Sequence, residues 1–312
     1  MRRTTTHDSL RPDGLLGDVV LKARGRDLRT YASGSALTLG TASLEVGVAF
    51  LPDRRVTSIR SEPAADLGSL IGVRASSGFR QAVDQALPSE ERLESLRYQL
   101  LDDVPTAVLV SGYALGAGGI RPPQGSIQFH SHADICAGWA TGATILTEAA
   151  QTGYPPVVTG PEAPSLANPD DPLAWHPLDP LPPEGMRRWR RIDLWHSADE
   201  IRVECFFRDS HVNKDGLETV VHEYLVEATL DGPTSRFVSC QARVGALPWV
   251  ECPLAAPSAH RLVGRTAADL RAWVRDTFTG VTTCTHLNDT LRSLTCLPYL
   301  IAQLNPPVAG AG

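Results

Sequence analysis

The sequence predicts an α+β fold built as two tandem copies of one unit, a strand and hairpin followed by two helices, with antiparallel sheets related by a pseudo-twofold axis. Three observations support this: strand-like strings that recur in one order, helix patterns entered through the same Leu-aliphatic-Gly turn, and a proline-rich stretch between the two sets.

The first shared element is residues 19–27 (VVLKARGRD), which lies over residues 201–209 (IRVECFFRD). Both alternate apolar and polar residues and close on Arg-Asp, so Asp27 and Asp209 are expected to be buried, hydrogen-bonded groups with one structural role. On that footing Asp209→Asn costs about 1–3 kcal/mol. Residues 45–59 then lie over 223–237 without a gap, as a hairpin with apolar positions at period two around an aspartate turn. Residues 70–83 (LIGVRASSGFRQAV) lie over 262–274 (LVGRTAADLRAWV) with one residue of slippage, and both read as helices. Residues 93–105 and 287–298 close the copies as apolar helices, each stopped by proline.

Between the copies, residues 154–183 hold ten of the 24 prolines, which predicts an extended, semi-rigid connector. The expected organisation is therefore an N-terminal copy over 13–153, a connector over 154–184 and a C-terminal copy over 185–304. A chain of 312 residues is long enough for two ordinary domains with sizeable cores.

The 29 basic and 35 acidic residues give a formal charge of -6 with no long block of either sign, which argues against nucleic acid or anionic lipid as a partner. The one basic run, Arg187, Arg188, Arg190 and Arg191 around Trp189, reads as a solvated strand edge or an intramolecular pairing surface. No apolar run is long enough for a bilayer and residues 1–14 lack a signal-like apolar stretch, so a cytoplasmic address is expected. In that reducing setting the six cysteines are expected to be free thiols or metal ligands.

A duplicated chain supplies its own control, because residues needed for the shared fold recur and residues needed for chemistry need not. In this alignment His222 falls opposite Leu44. Cys252 lies in an insertion, since 59 to 70 spans 11 positions and 237 to 262 spans 25. Cys284 and His286 (TTCTHLND) also have no counterpart. Cys284 precedes a helix start with Thr285 as N-cap, where the helix dipole favours thiolate, the form that attacks or binds metal. Cys252, Cys284 and His222 or His286 are therefore the expected ligands of a zinc or iron ion. Cys205, Cys240 and Cys296 are expected to be small core residues. A second candidate site, His130, His132 and Asp134, with Cys136 beyond, occupies alternate positions of HSHADIC at a strand–helix junction.

The stretches MRRWRRIDLW, FRDS, VHEYLVEATLD, LPWVECP and CTHLNDTLRSL resemble the bacterial domain-of-unknown-function family 2889, which implies no function. More distantly, the order His222, Cys252 and Cys284 around strands and helices is similar to the NifU-type iron–sulfur scaffold fold. That scaffold carries cysteine where His222 stands, and an acidic residue where Tyr224 stands. The resemblance implies a metal-capable site on an α+β sheet.

The expected function is a metal-assisted enzyme, zinc or iron, acting on a small organic substrate by hydration, hydrolysis or a lyase step. The alternatives are a Cys284-nucleophile hydrolase or transferase with His286 or His222 as base, and a non-enzymatic iron–sulfur or zinc scaffold. No nucleotide cofactor is expected, because Gly112 to Gly119 lack the dinucleotide spacing.

Overall fold

The computed structural model describes residues 1–121 and 132–304. Its eight strands are β1 (Arg2–Leu10), β2 (Val19–Thr30), β3 (Ala36–Ala49), β4 (Arg55–Glu62), β5 (Met186–Ser197), β6 (Glu200–Val212), β7 (Glu218–Asp231) and β8 (Phe237–Val244). They form one antiparallel sheet in the order β4-β3-β2-β1-β5-β6-β7-β8. Each half is a four-stranded meander, and the two meet where β1 pairs with β5, His7 opposite Arg188. The expectation of two separate sheets is thus corrected: the halves share one continuous sheet.

The strand β1 has no apolar alternation, because both of its faces are occupied by polar partners. On one side His7 Nε2 bonds Leu100 O at 2.9 Å. On the other His176 bridges Thr4 and Thr6 at 2.9 and 3.0 Å. The first part of β5 is likewise polar, before Ile192 and Leu194 enter the core, and its arginine run is the pairing surface of the two alternatives rather than a solvated edge: Arg187, Arg188 and Arg190 are buried. The proline-rich segment is a strap across this second face. Arg2 and Arg26 donate to Leu173 O, Arg208 donates to Pro164 O, and Trp175 packs edge-on against Trp189.

The other face carries the helices. In the first half these are α1 (Phe79–Ala86), α2 (Pro88–Leu93), α3 (Leu96–Val110), α4 (Tyr113–Ala117) and α5 (Thr144–Thr152); in the second, α6 (Leu270–Thr277), α7 (Thr285–Ser293) and α8 (Leu297–Leu304). Pro105 does not end its helix as expected; it lies inside α3, whose residues 98–108 are buried, so packing offsets the lost amide. The turns into the helical layers match. Gly72 and Gly264 have φ of 83° and 82°, open to glycine without strain, and their amides donate to Val56 O and Phe237 O, each at 2.8 Å.

Each half has its own hydrophobic core, under α3 and under α7 respectively. The two are joined by buried ion pairs, Arg190 with Asp103 and Arg292 with Asp102, and by half-buried ones, Arg271 with Asp102 and Glu94 and Arg80 with Asp289. Such pairs add little net stability but are costly to break singly, so they specify how the halves meet. No helix among the described residues is long and apolar enough to cross a membrane.

Candidate functional site

The site grows from a clamp that both halves possess. Arg3 on β1 grips Asp27 on β2 through Nε and Nη2 at 2.7 and 2.8 Å, and Arg188 on β5 grips Asp209 on β6 through the same atoms at 2.8 and 3.0 Å. Directly after each aspartate the ladder to the next strand carries a bulge. Opposite Asp27 stands Gly40; opposite Asp209 stands His222. The expected alignment of His222 with Leu44 is therefore corrected by four residues. A slip of four keeps every side chain on its own face, so alternation alone does not expose it.

In the second half the clamp is elaborated. His222 Nδ1 approaches Asp209 Oδ2 to 3.3 Å, yet this buried nitrogen makes no hydrogen bond of normal geometry. His286, in the first turn of α7, stacks on His222 with ring centres 3.6 Å apart and planes at 21°. Ligand atoms of Asp209, His222 and His286 all lie within 4.8 Å of one another, and no other such group of three occurs among the described residues. Asp209 is buried while the two histidines keep a solvent edge.

The electrostatics prepare these groups as ligands. Burial alone raises the Asp209 carboxyl, but the charge and paired hydrogen bonds of Arg188, with His222 close by, outweigh it and hold Asp209 well below the usual carboxylate range. Desolvation, and then the charge of His222, pushes His286 down to about 3, so its imidazole is neutral with a free lone pair.

The cysteines stand differently from the expectation. Cys284 caps α7, and its Sγ lies 3.9 Å from His286 Nδ1. Burial pushes its thiol up against the pull of the Leu287 amide, the Tyr224 hydroxyl and the His286 amide, a direction opposite to the one the helix terminus alone would give. Cys252 opens a 3₁₀ segment, Cys252–Leu262, and burial together with the charge of Cys284 pushes its thiol up to about 12. Cys205, Cys240 and Cys296 are core residues with thiols pushed by burial to about 12.

Of the second candidate site, His130 lies outside the described residues. His132 packs beside Trp139, and the exposed Asp134 carboxylate is taken up by the amide and hydroxyl of Thr141 at 2.7 and 2.9 Å. His132 and Asp134 are not among the three groups that converge. The cleft of 220 Å³ beside Glu94, Arg271, Thr295 and Tyr299 shares no residue with the Asp209 group. Asp209 itself was missed as a site residue, because its recurrence in both halves pointed to structure alone. The signal that marks it is its place beside the bulge that presents His222.

The geometry defines a class, a buried carboxylate and two imidazoles on the helical face of an antiparallel sheet. Residues 186–299 match a family model described as a protein of unknown function (DUF2889). The match runs from the first residue of β5 into α8 and includes Asp209, His222, Cys252, Cys284 and His286. No curated protein and no solved structure matches the chain.

Proposed function

We propose that Asp209, His222 and His286 hold one zinc or iron ion, and that the chain is an enzyme using it on a small organic substrate. The observation that carries this is the convergence of one carboxylate and two imidazoles within 4.8 Å, with the buried His222 Nδ1 beside Asp209 but in no hydrogen bond of normal geometry. Two ligands held at roughly 2.0–2.1 Å from one ion stand about 3.3 Å apart, so small rotations close the group. Two histidines and a carboxylate leave coordination positions open, as iron oxygenase and zinc hydrolase sites do. A bound ion would lower the acidity threshold of water or polarise a carbonyl, which suits hydration, hydrolysis or a lyase step. Arg188 then acts on Asp209 from behind, fixing the orientation of its oxygens.

A Cys284 nucleophile with His286 as base has the 3.9 Å approach in its favour. Burial pushes the thiol up and the imidazole down, which leaves the proton on sulfur and disfavours this reading. A non-enzymatic scaffold is the third. The wider reading includes a duplicated ancestor, supported by the matched clamps, bulges and glycine turns, and a cytoplasmic address. It excludes nucleic acid as a partner, since the arginines of β5 are largely spent on internal carboxylates. The test is metal analysis of tag-free protein: wild type carries an equivalent that His222→Ala and His286→Ala both lose. Retention of that equivalent in both variants would sink the site.

A further inference from the structure

Three cysteines from three separate segments gather beyond His286, and one of them, Cys136, lies outside the family match. The loop bearing Cys136 is pinned to the segment bearing Cys284, because the Ala137 amide donates to Thr283 O at 2.9 Å. It also presses on Cys252: a Cβ placed on Gly138 would stand 2.7 Å from Cys252 Sγ, so a side chain there would displace that thiol. All three thiols are buried.

Their surroundings differ from those of an ordinary core cysteine. Backbone amides of Trp139, Gly138 and Thr285 lie near the sulfur of Cys136, those of Leu287 and His286 near Cys284, and that of Trp249 near Cys252. Amides aimed at sulfur strengthen greatly when the sulfur carries charge and contribute little to a neutral thiol. Two of the three sulfurs lie at the N-terminus of α7, whose dipole favours negative charge. An independent observation comes from Tyr224, two residues along β7 from His222. Its side chain is 0% exposed and its hydroxyl makes no hydrogen bond of normal geometry. The groups acting on that hydroxyl are Cys284, Cys252 and Cys136. It is a buried donor without a partner, and the three thiols are its titratable neighbours.

We propose that Cys136, Cys252 and Cys284 form a second metal site, a three-thiolate seat for a soft ion of the zinc class, with the Tyr224 hydroxyl donating to a bound thiolate. The three sulfurs are not mutually within 4.8 Å, as the Asp209 group is, so binding draws them inward by side-chain rotation. On binding, each sulfur–hydrogen bond gives way to a sulfur–metal bond. Up to three protons pass to solvent, with no change in oxidation state. The donors separate the two sites by chemistry: sulfur here, nitrogen and oxygen at Asp209, His222 and His286.

The test is cobalt(II) titration of the tag-free full chain with its thiols kept reduced. Thiolate ligation produces a near-ultraviolet sulfur-to-cobalt band that nitrogen and oxygen ligands do not. The band is expected in wild type, falls by roughly a third or more in Cys136→Ser, Cys252→Ser and Cys284→Ser, and persists in His222→Ala. Cobalt bound without that band, or a band unchanged in Cys136→Ser, overturns the proposal. Should the serine variants misfold, the cadmium-113 resonance of the wild-type protein decides. A far-downfield thiolate shift supports the site, and a shift confined to the nitrogen and oxygen range overturns it. Failure here leaves the Asp209 site untouched, because that reading is tested by the metal equivalent lost in the histidine variants.

Discussion

The two halves of the sheet answer one structural problem in one way and then diverge. Both bury an arginine–aspartate fork on adjacent strands, both place a bulge just after the aspartate, and both turn into their helices through a glycine at positive φ. At the bulge the first half has Gly40 and the second His222. Above the bulge, α7 contributes His286 and Asp289, whereas α3 offers Arg3 the Gln99 side chain and Arg80 bonds the Asp102 carbonyl. The comparison teaches that the fork is common to both halves while the imidazoles are particular to the second, which is what the proposed metal reading requires. On that reading Asp209 would serve both, since a carboxylate held by one arginine still has lone pairs for another partner.

The largest effect expected from this comparison is on the fork. Asp27→Ala strands Arg3 in the interior and lowers unfolding free energy by about 3–5 kcal/mol. Asp209→Ala costs a comparable amount and also removes metal from the folded fraction. Denaturant titration of both, with metal content measured on the folded protein, checks this, and a stable Asp27→Ala would break the equivalence of the halves.

Acid comes next, and it should strike both halves. His176, held against β1, is pushed down to about 3, by burial and then by the charges of Arg26 and Arg187. His211 on β6 is pushed down to about 4 by burial. Below the unfolded value of about 6.5 the unfolded chain takes up protons that these buried imidazoles refuse. Stability therefore falls as pH drops from about 6.5 towards 4, by about 1.4 kcal/mol per pH unit for each histidine. Melting temperature measured across that window should decline steadily, and a flat profile would contradict the burial of these rings.

A ligand deletion sharpens the contrast further. His222→Ala should weaken metal binding by at least the roughly 10–100-fold seen when outer-shell partners are lost, while leaving the fork intact. Competition with a chelator reads this directly. The smallest effect is expected at the matching position of the first half. A side chain at Gly40 meets nothing within 4 Å, so Gly40→His should change stability by less than about 0.5 kcal/mol and create no metal site. Metal gained by that variant would mean that one imidazole beside the fork is enough.

Much of the strand pattern was legible in the chain. β2 and β6 showed in their alternation, although each runs three residues past the Arg-Asp expected to close it, and the Gly72 and Gly264 turns marked where the helical layers begin. β1 was not legible, because a strand covered by polar partners on both faces has no apolar rhythm to betray it. Register was illegible for a related reason: a period of two is satisfied by any even slip, and the bulge beside Asp209 is decided by the hydrogen-bond ladder.

The candidate site divides along the same line. The sequence by itself nominated His222, His286, Cys252 and Cys284, because residue type and lack of a counterpart in the first half are local properties. Only the tertiary structure decided that Asp209 joins the imidazoles, that Cys284 is buried so that desolvation works against its thiolate, and that the loop of Cys136 comes to lie against the segments of Cys252 and Cys284. Those outcomes depend on desolvation and on contacts between segments more than a hundred residues apart, such as Ala137 with Thr283, and neither is encoded in the spacing of residues along one stretch of chain.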